Sequence, residues 1–248
     1  WGLELAISSV NVEKNDWRWT TDFNISMNRN KLEKLNLQQV YYYTQTSEAL
    51  SEYVVRMTPG QPLSQFWGYT AKGVDPETGM IIYEDYNGDG KVNVADKHYI
   101  GDANPLFTAG LTNTISWKGL NLSFLLTSSV GNDIYNASKI EMIGMYTGGN
   151  QIKDVVRRWR IPGQITDIPK AGELDNLRAS TRWIEDGSYL KVKNITLSYD
   201  IKHPALKKAN ISRIQPYITL DNMITFTKYS GYDPEMSQYT SATSMGID

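Results

Sequence analysis

Twelve residues, Asp85-Tyr86-Asn87-Gly88-Asp89-Gly90-Lys91-Val92-Asn93-Val94-Ala95-Asp96, carry oxygen side chains at positions 1, 3, 5, 9 and 12 and a glycine at position 6. That is the spacing of a calcium loop, because Ca²⁺ takes six to eight hard oxygens and the glycine allows the sharp turn that brings them together. The expected ligands are Asp85, Asn87, Asp89, the Lys91 carbonyl, Asn93 and Asp96, the last an Asp where Glu is usual. The expected role of Ca²⁺ is structural, a clamp inside a long loop. The plainer reading is a solvated, Asx-rich turn.

No other grouping points to chemistry, and the chain is expected not to be an enzyme. It has no cysteine, which removes thiol catalysis, disulfide scaffolds and zinc clusters. His98 and His203 are its histidines, and both read as solvated loop residues. Glu185-Asp186 and the pair Asp233 and Glu235 have the residue types of a glycosidase acid pair. They lie at strand–loop junctions, however, where Asp-Gly and Asp-Pro mark turns. Loop aromatics offer flat faces on which a pyranose ring could stack. Trp67, Tyr69, Tyr146 and Tyr232 are the substrate-contact candidates, with Tyr41, Tyr42, Tyr43 and Phe66 as further loop rings. For each one taken singly, packing of loop on loop or a girdle role is the favoured reading. Arg157, Arg158 and Arg160 read as a solvated face that could also meet a partner or an acidic substrate.

These residues are carried by strands. Net charge is −2 over 248 residues, so no nucleic-acid partner is expected. No apolar run approaches the ~20 residues of a membrane helix. Membrane β-strands alternate and look polar on average, so that class stays open. Sixteen Tyr and seven Trp outnumber five Phe, the aromatic balance of an interfacial girdle and equally of a secreted carbohydrate-binding sandwich. Trp17 to Asn28 alternates over twelve residues, longer than a usual soluble strand and suited to a tilted membrane strand. Similar alternation runs through Leu3, Leu5 and Ile7, through Phe107–Trp117, through Leu120–Phe124, through Tyr189–Ile201 and through Gln215–Phe226. Six strands are therefore expected. Their connections alternate between short (Val10–Asp16, Lys118–Gly119, Lys202–Arg213) and long (Arg29–Leu106, Gly131–Ser188, then a tail from Lys228). Short turns on one rim and long loops on the other are the habit of an outer-membrane barrel, not of a soluble sandwich. The fold expected is all-β: an incomplete part of a large antiparallel transmembrane β-barrel. Its long extracellular loops would span 29–106, with the calcium-type loop 85–96, and 131–188. Short helices are expected over Asp133–Met145 and Lys153–Arg160. Trp17, Trp19 and Trp117, beside the short turns, read as a periplasmic-side girdle.

Several stretches also resemble the C-terminal region of the SusC/RagA family of TonB-dependent outer-membrane transporters. They are Gly73-Val74-Asp75-Pro76-Glu77-Thr78-Gly79; Asp85–Asp96 with Ile100-Gly101; and Asn104-Pro105-Leu106-Phe107-Thr108-Ala109-Gly110-Leu111-Thr112-Asn113. Two more are Gly187-Ser188-Tyr189-Leu190-Lys191-Val192-Lys193-Asn194-Ile195-Thr196-Leu197-Ser198-Tyr199 and the run Asn222 to Glu235. The resemblance implies a 22-stranded barrel with an N-terminal plug, a SusD-like surface lipoprotein as lid, and import of glycans or peptides energised through TonB. It implies a place in the outer membrane of a Gram-negative bacterium. The chain begins at Trp1 and stops at Gly246-Ile247-Asp248, without a plug, a TonB-contact segment or the family's final strand, so it is expected to be a piece of the wall. The alternative is a soluble, secreted, calcium-dependent carbohydrate-binding β domain.

Overall fold

A computed structural model describes residues 1–36, 52–204, 206, 210–211 and 213–235, together with the backbone of 41–45. The chain end at 246–248 and the side chains of Tyr41, Tyr42 and Tyr43 lie outside the described residues. The molecule divides into two compact units.

The first unit takes Trp1–Asn28, Pro105–Gly131 and Gly187–Lys228. It is a six-stranded antiparallel sheet of β1 (Gly2–Lys14), β2 (Trp17–Asn28), β3 (Phe107–Trp117), β4 (Leu120–Val130), β5 (Tyr189–Tyr199) and β6 (Tyr217–Thr227), side by side in chain order. Each strand has 11 to 13 residues. At ~3.3 Å per residue and a tilt near 40°, eleven residues rise about 28 Å, enough for an apolar band about 25 Å tall. The β3–β4 hairpin turns on Lys118 and Gly119, at φ 48° and 91°. Positive φ at both central residues gives the turn whose twist matches the strands. The first hairpin is tighter than the sequence suggests. β1 continues to Lys14 because a bulge between Val10 and Val12 resets its register, which leaves Asn15 and Asp16 for the turn.

The register sorts the side chains onto two faces. Ile7, Phe23, Leu111, Leu126, Val192 and Ile224 stand in one cross-strand row, and Trp19, Ile115, Leu122, Leu197 and Ile218 in another. Trp17, Trp117, Leu120 and Tyr199 form the row nearest the short turns, where Trp17 and Trp117 stack at 5.4 Å. This face is exposed: Leu3 is 64%, Ile218 67% and Phe226 58% accessible. Thr21 and Asn113 interrupt it but are satisfied within it. The Asn113 Oδ1 accepts from Thr21 Oγ1 at 2.6 Å and from the Trp19 indole at 2.8 Å. The opposite face is polar, with rows such as Ser8, Asp22, Thr112, Leu125, Asn194 and Asp221, or Thr20, Thr114, Ser123, Thr196 and Thr219.

The second unit takes Arg29–Asn104, Asn132–Asp186 and the chain from Tyr229. A four-stranded sheet runs in the order Tyr41–Gln45, Tyr53–Met57, Gln65–Gly68, His98–Asp102, and two strand pairs join Ala71–Val74 to Ile81–Tyr83 and Asp133–Tyr135 to Ile184–Asp186. Val54, Phe66, Tyr135, Ile140, Ile143, Ile168, Leu177, Ala179 and Trp183 form its core. The expected helix over Asp133–Met145 is shorter. Asp133–Tyr135 pairs as a strand with residues about fifty positions later, and α1 covers Ala137–Ile143 behind an Asn136 N-cap. The expected Lys153–Arg160 helix is a 3₁₀ turn over Lys153–Arg157.

Candidate functional site

The calcium-type loop is closed by its own amides. Asp85 Oδ1 accepts from the backbone N–H of Gly88 (2.8 Å) and Asp89 (3.1 Å), and Oδ2 from Gly90 (2.7 Å). Asn87 Oδ1 accepts from Asp89 N, and Asp89 Oδ1 from Lys91 N, each at 2.9 Å. Asp96, wholly buried, accepts from Asn93 N at 2.7 Å and Asn87 N at 3.2 Å. The Asn93 amide, ahead of the others, holds the Asp96 carboxyl below the usual carboxylate range. Asn93 and Asp96 together form a capping box on the Val94–Asp96 turn. The donor types suit a hard cation; Asp85 Oδ1 already accepts two amides, whereas Asn87 Oδ1 and Asp89 Oδ1 accept one each and keep a second lone pair. Among the described residues, no three carboxylate, imidazole or thiolate groups gather as a metal set. A cation here would lean on the Asn and carbonyl oxygens as well as the carboxylates.

His98, half-buried, anchors this loop. One ring nitrogen meets the Asp96 carbonyl at 2.9 Å and the other Thr70 Oγ1 at 3.0 Å, while Tyr86 stacks on its ring at 3.9 Å. Lys97 next to it pairs with Glu52 at 2.9 Å, and Glu52 also accepts from Ala179 N at 2.7 Å. No sequence spacing marks Glu52, Lys97 and Ala179 as partners.

The four aromatic candidates differ in what surrounds them. Trp67 is half-buried, with the Arg56 guanidinium carbon 3.8 Å from its ring centroid and Tyr99 edge-on at 5.0 Å. Tyr99 Oη and Gln65 Oε1, on adjacent strands, are buried without hydrogen-bond partners. Tyr69 is 3% exposed, packed on Tyr83 at 5.4 Å with Lys97 and Arg178 over its ring. Its face is therefore spent on the interior. Burial pushes its phenol up, against the lowering effect of Arg178. Tyr146 is half-buried against the core and donates to the Glu141 carboxylate. Tyr232 is fully exposed. Phe66 belongs to the core, not to a loop surface.

Glu185 is a hydrogen-bond acceptor. It takes hydrogen bonds from Lys139 Nζ (2.9 Å), Ser230 N (2.7 Å) and Ser230 Oγ (2.8 Å). Burial alone would raise its pKa, but the Ser230 and Lys139 bonds outweigh that and hold it below the usual range. That is the wrong direction for a general acid. His203 lines a hollow of about 580 Å³ beside Lys202 and Arg213, past the end of β5.

The wall and the loop unit can now be set beside known proteins. No family model matches the chain. TonB-dependent receptor P3 of Formosa agariphila is 29% identical over all of the chain and 26% of its own length. TonB-dependent receptor SusC of Bacteroides thetaiotaomicron is 25% identical over 95% of the chain and 24% of its length. The solved structure of the RagAB peptide transporter superposes with a TM-score of 0.78 and 25% identity, over 94% of the chain and 26% of that one. This chain is homologous to TonB-dependent receptors of the SusC/RagA kind. Its six-stranded antiparallel sheet is accordingly part of a large β-barrel. The chain spans about a quarter of the length of these relatives. Transmembrane β-barrels in general alternate apolar side chains outward with polar ones inward, and the sheet here carries one apolar and one polar face. The relatives are receptors and transporters by name.

Proposed function

We propose that this chain supplies wall strands and outer loops to a TonB-dependent transporter in the outer membrane of a Gram-negative bacterium, importing glycans or peptides. TonB acts through a region outside this chain, and a SusD-like surface lipoprotein is the partner at the loops. The observation that carries the reading is the two-faced sheet, with an apolar face ending in a Trp17, Trp117 and Tyr199 girdle and a polar face behind it. The RagAB structure and SusC support it from outside. A soluble carbohydrate-binding domain is not favoured, since it would leave Leu3, Ile218 and Phe226 standing in water.

Within this reading the long connections are extracellular, and Trp67 is the first of the substrate-contact candidates. Its ring sits between Arg56 and Tyr99, groups that hydrogen-bond to a glycan or a peptide alike. Tyr146 and Tyr232 are weaker candidates, and Tyr69 acts by supporting the loop unit. Calcium, held by Asp85, Asn87, Asp89, the Lys91 carbonyl, Asn93 and Asp96, would stiffen the loop 85–96 without taking part in transport. Its binding is read by calorimetry on the full-length protein with and without chelator.

The test is uptake by cells expressing the full-length transporter, with labelled oligosaccharides in one arm and oligopeptides in the other, with and without TonB. TonB-dependent uptake in either arm, reduced by Trp67→Ala, is the expected result. A full-length protein that leaves the cell envelope without detergent contradicts the proposal.

A further inference from the structure

Charge is unevenly spread along the chain. The three short connections of the first unit, 13–18, 118–119 and 199–214, hold seven Lys or Arg against three Asp or Glu, whereas the whole chain holds 25 against 27. Part of that excess is spent within the rim. Arg213 pairs with Asp200 at 2.6 and 2.7 Å, and Arg18 stands 3.9 Å from Glu13. Lys202 lies within electrostatic reach only of Asp200, which Arg213 already holds, and Lys118 has no carboxylate partner among the described residues.

Backbone bonds join the three turns into one ledge. Asp200 N donates to the Gly119 carbonyl at 2.7 Å and Lys118 N to the Asp16 carbonyl at 3.4 Å. Lys118 and Lys202, with Asp16, Gly119, Tyr199 and Asp200, line a hollow of about 470 Å³ there. The Lys118 ammonium lies 5.6 Å from the centroid of the Trp117 ring, which stacks on Trp17 on the apolar face. Its stem thus runs along the girdle while its charge stays at the rim. In a closed barrel further strands join at the free edges of β1 and β6, so they do not cover the outward face at β2 to β5.

A cationic ledge beside a Trp and Tyr girdle stands at the depth of lipid headgroups. Lysine meets phosphate as a point charge, so no fixed fork geometry is required. A zwitterionic headgroup would bring its own ammonium up to the two lysines and is the poorer fit. We propose that Lys118 and Lys202 hold the phosphate of an anionic glycerophospholipid whose acyl chains lie along Trp17, Trp117 and Tyr199. On the reading of the chain as barrel wall with its short turns in the periplasm, on which this rests, the lipid belongs to the periplasmic leaflet.

The experiment loads the full-length transporter in detergent with an equal mixture of phosphatidylglycerol and phosphatidylethanolamine. Lipid retained through gel filtration is then counted by mass spectrometry. The variants are Lys118→Gln/Lys202→Gln and, as a control that removes two lysines from the second unit, Lys72→Gln/Lys153→Gln; heat-modifiable migration checks that each is a folded barrel. One basic side chain beside an anionic lipid surface is worth about fivefold in binding, so the rim variant should lose at least about tenfold in its preference for phosphatidylglycerol. The control should keep the parent's preference. A parent without a preference, a rim variant that keeps it, or an equal loss in both variants overturns the proposal. So does a preference in the parent that is undiminished at about 0.5 M salt, a result that holds even if the rim variant does not fold. Release of the protein from the envelope without detergent would instead sink the barrel reading itself, and is seen before any lipid is counted.

Discussion

Replacing Leu111 by arginine would put a guanidinium on the apolar face of the wall, between Phe23 on one strand and Leu126 on the other. Leu111 stands six residues before Trp117 in β3. At ~3.3 Å per residue and a tilt near 40°, that is about 15 Å from the girdle, near the middle of an apolar band about 25 Å tall. Arginine at that depth costs about 2–4 kcal/mol in a membrane barrel. Thr112, one residue on, points to the other face between Asp22 and Leu125. An arginine there meets the lumen and a carboxylate, so its cost should stay within about 0.5 kcal/mol. The assay is denaturant unfolding of the full-length transporter refolded into bilayers, comparing Leu111→Arg with Thr112→Arg. A gap of about 2 kcal/mol or more, with Leu111→Arg the worse, is expected. Equal costs, or the reverse order, would refute the assignment of the two faces.

Lys97→Met should strand Glu52 beside the Ala179 amide and cost about 3 kcal/mol, since the pair is mostly buried; faster hydrogen exchange at 52–57 and 177–180 is the readout, and unchanged protection would argue against the pair. Gly79→Val combines a left-handed backbone (φ 73°) with the Trp159 ring, so loss of protease resistance around 152–168 is expected, while an unaltered digest would count against that packing. The depressed pKa of Glu185 means that its bonds to Ser230 and Lys139 contribute fully above the ordinary value of 4.5 and are lost as pH falls through the lower folded value. Amide protection at 184–186 should therefore drop in acid in the parent protein and vary little with pH in Glu185→Gln; parallel curves would speak against the clamp.

The wall was legible because alternation is a local property. Trp17–Asn28 and Phe107–Trp117 read as strands and fold as strands with the same ends. The first turn read too wide because Val10-Asn11-Val12 breaks strict alternation, and a bulge repairs a break that period-2 counting takes as an end. The loop unit was much less legible, because its contacts join residues far apart. Asp133–Tyr135 looked helical beside Ala137–Ile143 until Ile184–Asp186 supplied a strand partner. Tyr69 looked like an exposed platform, yet Tyr83, Lys97 and Arg178 cover it from three separate segments. His98 looked solvated because Thr70 and Tyr86 reach it only through the fold. The spacing of the 85–96 loop was plain, whereas its anchorage through Glu52 and Lys97 had no signature.

The central claim is that one face of this sheet meets lipid and the other a water-filled lumen. The described strands contain no cysteine, so single cysteines can be placed along β2 and β3 in a full-length transporter otherwise free of them. Spin labels at Phe23, Ile25, Leu111 and Ile115 should collide with oxygen dissolved in the bilayer. Labels at Asp22, Asn24, Thr112 and Thr114 should instead collide with a water-soluble nickel chelate. Alternation with period two, in phase across both strands, is the predicted result; uniform accessibility to the nickel chelate at all eight positions would contradict the account.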